Sequence, residues 1–387
     1  MARNFLLTIS DVENHLLDVI GMDAGSTARQ TVRRAILSAM RALNLKHTWS
    51  YYWQIGKLNT VASYFTGAVS YDHTGGSSER LVTLSTGTFP TWASYGTLQV
   101  GDNFYEVDQR VDGTHLTLSR TSNPGADFSS RSYYLFRDTY PLPTDFLRAD
   151  QVYNMTSGSR LEYCHVGDWQ ASRASGGSTV GEPWMYTFRG DPNYFGQLAI
   201  SLSPPPGSIY TLDFPYQRNM RGIAVAEYRD GTVTTTSAST TVSGSGTAFT
   251  SSMAGAVIRF ASSSTDDHPT GNGGLNPAVV ERVISSVDSA TSLTVDSAPG
   301  YDLTGVKYVI SDPIDIDAQI MTNYFLRECE KQLRTIRRIK EVSATEEHEY
   351  QRTLLEAIES DSRSVAPAWV GTHTRISGRS SLAPDNG

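Results

Sequence analysis

Only two cysteines, Cys164 and Cys329, occur in 387 residues. That scarcity excludes a disulfide framework and makes a reducing cytoplasm a natural setting. No apolar run reaches the ~18 residues that cross a membrane, and the apolar stretch after Met1 is too short for a secretory leader. The chain therefore stays where it is made unless an assembly carries it out. A basic surplus is lacking too: 32 Lys and Arg face 40 Asp and Glu, a net charge of −8. Such a balance argues against a nucleic-acid wrapper and suits a surface past which a polyanion slides.

Motifs that carry chemistry are equally scarce. Zinc needs four convergent Cys or His ligands, and Cys164-His165 is the one adjacency. No glycine-rich string ends in Gly-Lys-Ser or Gly-Lys-Thr to cradle a phosphate. Ser243-Gly244-Ser245-Gly246 lacks the first glycine of a nucleophile elbow. The carboxylates of Asp312, Asp315 and Asp317 fit the positive end of a helix better than a calcium loop. No catalytic, cofactor or metal site is expected, and the protein reads as a non-enzyme.

What the sequence does contain is aromatic residues, with 20 Tyr and 6 Trp, and a large share of Gly, Ser and Thr. The first offsets ordering entropy, and the second marks short strands joined by turns. Residues 10–20 read as a helix stopped by Gly21, with Val12, Leu16 and Val19 or Ile20 inward. Residues 27–46 read as a second, capped by Ser26 or Thr27. Its stripe of Val32, Ile36, Met40 and Leu43 has helical spacing. Period-two alternation then dominates 69–143. Between 144 and 228 the chain is aromatic-rich, with a hairpin expected between 198–202 and 209–216 and a mobile loop over 171–182.

The most informative feature is an internal repeat. Gly87-Thr88-Phe89 aligns with Gly246-Thr247-Ala248-Phe249, and Gly96-Thr97-Leu98 with Gly255-Ala256-Val257. His115-Leu116-Thr117-Leu118 matches Ser292-Leu293-Thr294-Val295, and Tyr134-Leu135-Phe136 matches Tyr308-Val309-Ile310. One β module is therefore read as duplicated, with an insertion over 262–274 in the second copy.

Beyond Pro313 helical periodicity returns. Ile316, Ile320, Tyr324, Cys329, Leu333, Ile336 and Ile339 form one stripe, and Ser343 with Glu346 is a capping box for a second helix. Arg327, Lys331, Arg334 and Arg338 share a face of the long helix. They read as a solvated face balanced by Glu328, Glu330 and Glu341, or as an inter-subunit basic surface. The aperiodic end carries Trp369, His373, Arg375 and Arg379, a tail suited to docking on a partner.

This order of parts resembles the head-to-tail adaptor (connector) proteins of tailed bacteriophages, including the group called tail tubular protein A. The resemblance rests on the helix over 28–45 running into Trp49 and Trp53, on Tyr140-Pro141-Leu142-Pro143-Thr144-Asp145-Phe146-Leu147-Arg148, and on the helical hairpin over 315–360 with its tail. The two β modules depart from the smaller adaptors. The resemblance implies a ring of about twelve copies closed by head-to-tail interfaces. Its partners would be the portal protein, a tail nozzle or tail tube protein, other copies of itself, and tail fibres. DNA would pass through the channel without specific binding. The implied location is the virion neck, after synthesis in the bacterial host cytoplasm, with no membrane contact.

The expected fold class is α+β: N-terminal helices packed with a C-terminal helical hairpin, carrying two inserted small β-barrel or β-sandwich modules and an extended C-terminal tail. The expected parts are 1–60, helical; 61–143, first β module; 144–228, aromatic-rich β segment; 229–312, second β module; 313–364, helices; and 365–387, tail. The competing function is a tail appendage or carbohydrate-binding receptor protein, with Trp92, Tyr95 and Tyr105 as sugar platforms. A polysaccharide-degrading enzyme, with a carboxylate pair in a cleft, is the third reading.

Overall fold

A computed structural model describes residues 6–21, 25–73, 79–174, 180–265, 267–271, 276–337 and 344–365. The chain divides into two units, Met1–Tyr52 with Met220–Gly387, and Trp53–Asn219.

The first unit opens with α1 (Ile9–Ile20) and α2 (Ser26–Lys46). Thr8 caps α1: Asp11 N donates to its Oγ1 (3.4 Å), and Thr8 N donates to Asp11 Oδ2 (3.0 Å). The pair satisfies two amides that have no helical partner. Gly21 ends the helix at φ +59°, a left-handed conformation that costs glycine little. Ile9, Val12, Leu16 and Leu17 face inward, whereas Val19 is 47% exposed. The stripe of α2 is Val32, Ile36, Met40 and Leu43, widened by Ala28, Ala35 and Ala39. Its cap is Gly25, with no side-chain bond, in place of Ser26 or Thr27.

At Trp53 the chain leaves helical conformation for the second unit, starting with β1 (Trp53–Asn59). The first β module follows: β2 (Val69–Asp72), β3 (Leu81–Leu84), β4 (Thr97–Val100), β5 (Asn103–Arg110), β6 (His115–Leu118), β7 (Phe128–Arg131) and β8 (Tyr134–Phe136). Its seven strands run β7-β2-β3-β6-β5-β4-β8 around an apolar core that includes Val82, Leu98, Leu116 and Leu135. Next come β9 (Thr139–Pro141), β10 (Phe146–Ala149), β11 (Val152–Asn154), β12 (Ser159–Tyr163), α3 (Val166–Ala174), β13 (Met185–Gly190), β14 (Leu198–Ser203) and β15 (Thr211–Arg218). With β1 they form an eight-stranded sheet in the order β1-β15-β11-β12-β13-β14-β9, β10 also pairing with β15.

Two expectations fail in this region. β14 pairs with β13 and β9, and β15 with β1, β10 and β11, so 198–202 and 209–216 are not a hairpin. Pro204, Pro205 and Pro206 offer no N–H to continue a ladder between them. The start of the expected loop over 171–182 is instead the last turn of α3, held by Trp169, whose Nε1 donates to Leu202 O (3.3 Å).

The first unit resumes with the second β module: β16 (Thr232–Thr235), β17 (Thr241–Ser245), β18 (Val257–Phe260), β19 (Val280–Ser289), β20 (Ser292–Val295), β21 (Leu303–Val306) and β22 (Tyr308–Ser311). Its order, β21-β16-β17-β20-β19-β18-β22, repeats that of the first module strand for strand. The cores repeat as well. Tyr64, Phe89 and Tyr133 meet with ring centroids 6.3, 6.4 and 6.2 Å apart. Tyr228, Phe249 and Tyr308 meet at 6.2, 6.2 and 6.0 Å. Thr88 N donates to the Tyr64 hydroxyl (3.0 Å), as Ala248 N does to Tyr228 (2.6 Å). The pairing corrects the sequence alignment by one residue. Leu98 faces Leu135 and Ile258 faces Ile310, so Tyr308 matches Tyr133 rather than Tyr134.

The chain closes with α4 (Thr322–Arg337) and α5 (Ala344–Val365). The aspartates near Pro313 lie ahead of the helix. Asp312 Oδ2 accepts the amides of Ala224 and Val225 (2.6 Å to the latter), and Asp315 Oδ2 accepts that of Arg221 (2.7 Å). Asp312 and Asp315 thus fasten an extended segment, whereas Asp317 keeps a capping role: its Oδ1 accepts the amides of Gln319 and Ile320 (2.9 and 3.4 Å) in the turn that leads into α4. Tyr324, Phe325, Cys329 and Leu333 of α4, with Tyr350, Leu354 and Ala357 of α5, share one apolar core with α1 and α2.

The fold class expected from the sequence is corrected by these sheets. The chain is mostly β, with three curled sheets of seven to eight strands and 26% helix, rather than a helical core carrying small modules. Long helices announce themselves by sustained periodicity, whereas strands of three to ten residues leave little signal. The aromatic segment builds its own sheet around Tyr140, Phe146, Leu161, Phe214 and Tyr216.

One ion cluster joins the second module to α1. The Arg259 side chain, 4% exposed, forks onto Asp11 Oδ1 and Oδ2 (both 2.8 Å), and donates to Leu6 O (2.7 Å) and Glu281 Oε2 (3.1 Å). Removing one partner of a buried pair strands the other charge at a cost of about 3–5 kcal/mol. Arg259→Ala is expected to lower stability by that order in urea denaturation. Arg259→Lys should recover only part, because an ammonium cannot reproduce the planar fork.

Candidate functional site

Three of the residues singled out from the sequence lie on α4 of the α4–α5 hairpin. Arg327, Lys331 and Arg334 recur at four and three residues along α4, which sets them on one face. Arg338, Trp369, His373, Arg375 and Arg379 lie outside the described residues.

Each of these three cations has a carboxylate within the chain. Arg327 Nη1 lies 3.1 Å from Glu330 Oε2, one turn along the helix. Lys331 Nζ bridges to both oxygens of Glu347 on α5 (3.2 and 3.0 Å) and sits 4.0 Å from the Tyr350 ring centroid. Arg334 Nη1 pairs with Glu346 on α5. The partners Glu346 and Glu347 were not among the balancing acids read from the sequence. They lie across the hairpin, a neighbourhood that helical spacing alone does not reveal. Glu328, one of those acids, points the other way into the core.

Beneath this charged seam lies a buried polar knot. Glu328, 2% exposed, accepts from the hydroxyls of Tyr350 and Tyr324 (3.4 Å to the latter) and from Gln332 Nε2 (2.7 Å). The two tyrosine hydroxyls are 2.8 Å apart. Burial, then the bonds to Glu328 and Tyr324, drive the Tyr350 hydroxyl well above its ordinary pKa. It therefore stays protonated and donates. Three groups that must all be satisfied fix the crossing of α4 and α5 at one point.

The groove above is lined by Arg327, Glu330, Lys331, Arg334, Glu346, Glu349 and Tyr350, and its volume is about 40 Å³. That is far below the ~300–1,000 Å³ usual for small-molecule sites. Its chemistry is that of a rim of alternating charge, able to exchange partners with side chains of another chain. Among the described residues no group of three or more His, Cys, Asp or Glu could hold a metal ion. Nor, among the described residues, is any helix long and apolar enough to cross a membrane.

The aromatic platforms of the carbohydrate reading are dispersed. Trp92 and Tyr105 both pack against the first module's core, Tyr105 beside a cleft, and Tyr95 sits under Arg137 (4.9 Å) with its hydroxyl 3.4 Å from that of Tyr194. No protein-family model matches this sequence, and no curated protein matches it either.

The side-chain amide of Gln351 and the Lys331 ammonium hold the Glu347 carboxyl below its usual range. The folded pKa lies under the unfolded one, so the stabilisation is full above the unfolded value. It is lost as pH falls through the folded value. Both partners are partly exposed, which limits the effect to about 0–1 kcal/mol. In acid titrations followed by circular dichroism, Glu347→Gln is expected to flatten that small loss below pH ~4 and leave neutral stability nearly unchanged.

Proposed function

We propose that the chain is a non-enzymatic structural protein of a tailed-bacteriophage virion, an adaptor ring that joins the portal to the tail and forms part of the DNA channel. The observation that carries this reading is the α4–α5 hairpin. It is anchored on the core of α1 and α2, shows an exchangeable charged rim, and precedes a tail bearing Trp369, His373, Arg375 and Arg379. An outer rim of alternating charge suits head-to-tail contacts between identical copies, which close into rings. A net charge of −8 favours passage of DNA without adhesion.

In this reading the ring is made in the host cytoplasm, is built into the neck, and touches the portal on one side and a tail nozzle or tail tube protein on the other. Tail fibres are a further contact. The competing reading, a tail appendage or carbohydrate-binding receptor protein, is favoured by one observation, the cleft lined by Tyr105.

Mass spectrometry and electron cryomicroscopy of purified virions test the proposal. The expected result is about twelve copies in density at the neck; absence from particles, or density confined to fibres, contradicts it. A chain truncated after residue 365 is expected to keep its circular dichroism and melting midpoint while losing co-purification with the portal. Arg334→Glu is expected to reduce ring assembly while changing subunit stability by only ~0–1 kcal/mol.

A further inference from the structure

A head-to-tail ring needs two different faces that fit each other. The charged hairpin of α4 and α5 supplies one, and α2 carries a second. The 21 residues of α2 include Arg29, Arg33, Arg34, Arg41 and Lys46 and no Asp or Glu, in a chain whose net charge is −8. Arg29 and Arg33 turn to the buried Glu13, and Lys46 acts on Glu347. Arg34 and Arg41 are exposed and have no carboxylate partner among the described residues. Leu37 is 42% exposed and Leu45 85%. Positions 34, 37, 41 and 45 recur at three and four residues, which sets arginine and leucine alternately on one stripe. That stripe lies opposite Val32, Ile36 and Leu43, which fill the core.

We propose that this stripe docks on α5 of a second copy of the chain. On the solvent side of α5, Leu355 is 64% exposed, and the exposed Glu349 has no cation partner among the described residues. Glu356 meets Arg352 at 3.6 Å, and both side chains are 64% exposed. So open a pair contributes little and can exchange partners. Glu349 and Glu356 are seven residues apart, as Arg34 and Arg41 are, and seven residues come close to two helical turns. Each pair therefore occupies one stripe of its helix, its charges about 10 Å apart along the axis. The matched spacing lets the two arginines of one copy meet the two glutamates of the next. Leu37 and Leu45 then leave water beside Leu355.

Other occupants fit this stripe less well. DNA offers phosphates to the arginines and nothing to the leucines that alternate with them. A lipid surface takes up a broad apolar face, and that of α2 is already buried in the core. Residues 366–387 of the same chain carry Arg375 and Arg379 against Asp385 alone, a charge of the same sign as that of α2. An acidic helix with an exposed leucine answers both kinds of side chain, and α5 is such a helix. The head-to-tail sense of the contact rests on the ring reading of the preceding section, and the contact itself can be tested apart from it.

Sedimentation velocity and native mass spectrometry of the full chain test the contact. The chain is expected to self-associate. Arg34→Glu with Arg41→Glu, and separately Glu349→Lys with Glu356→Lys, are each expected to weaken association by about tenfold or more. All four substitutions together are expected to restore it. Leu45→Ser, at a position outside the core, is expected to weaken association with unchanged melting. Self-association weaker than about 1 mM, indifference to the charge reversals, or failure of the four together to restore it overturns the proposal. So does retention on a DNA duplex or on anionic vesicles that is lost in Arg34→Glu with Arg41→Glu while self-association is unaffected. A closed dimer that obeys the reversals keeps this contact and contradicts the ring. A neck ring that forms in virions despite Arg34→Glu with Arg41→Glu keeps the ring and contradicts this contact.

Discussion

Apolar side chains from α1 and α2 and from α4 and α5 fill a single core, and the rest of the first unit depends on that shared burial. Each fully buried Leu, Ile or Val contributes roughly 1.5–3 kcal/mol. Val32, Ile36 and Leu43 of α2 meet residues such as Phe325, Cys329 and Leu333 of α4, and all six are at most 1% exposed. Charge is admitted only where it is answered. The Glu13 side chain, fully buried, accepts from Arg29 (3.0 Å) and Arg33, and Glu328 is held by two tyrosines and Gln332. A buried carboxylate without such partners would cost more than the helices gain.

The two β modules share one strand order and differ in how their outward faces are attached. The Tyr-Phe-Tyr trio and the strand order are common to both. The outward face is not. In one copy it presents an arginine to the Asp11 carboxylate, and in the other it presents Phe104 and Phe136 to the Arg173 guanidinium. A cation is buried at each junction, once as the gift of the module and once as that of the helix. Core positions tolerate little change in volume, whereas an outward face is free to change partner.

The sequence shows its local periodicities well and its long-range pairings poorly. The α2 stripe and the left-handed stop at Gly21 could be read directly, because each follows from neighbours within one helical turn. The duplication was visible to within one residue, because Gly-Thr turns and Leu-Thr-Val strands keep their spacing. The eight-stranded sheet was hidden. β1 pairs with β15 across more than 150 residues (Trp53 with Gln217), and nothing local in Trp53–Asn59 names that partner. The charged groove was half visible: α4 shows its cations at helical spacing, and only the antiparallel return of α5 brings Glu346 and Glu347 to them. Arg259 drew no notice in the sequence, since a lone arginine in a strand has no pattern.

The shared core is tested most directly by hydrogen–deuterium exchange on the wild type and on Leu333→Ala, read at the amides of α1 and α2. A common core predicts that a cavity opened in α4 speeds exchange in α1 and α2 together, by a similar factor. Unchanged protection in α1 and α2, with loosening confined to α4 and α5, would contradict it.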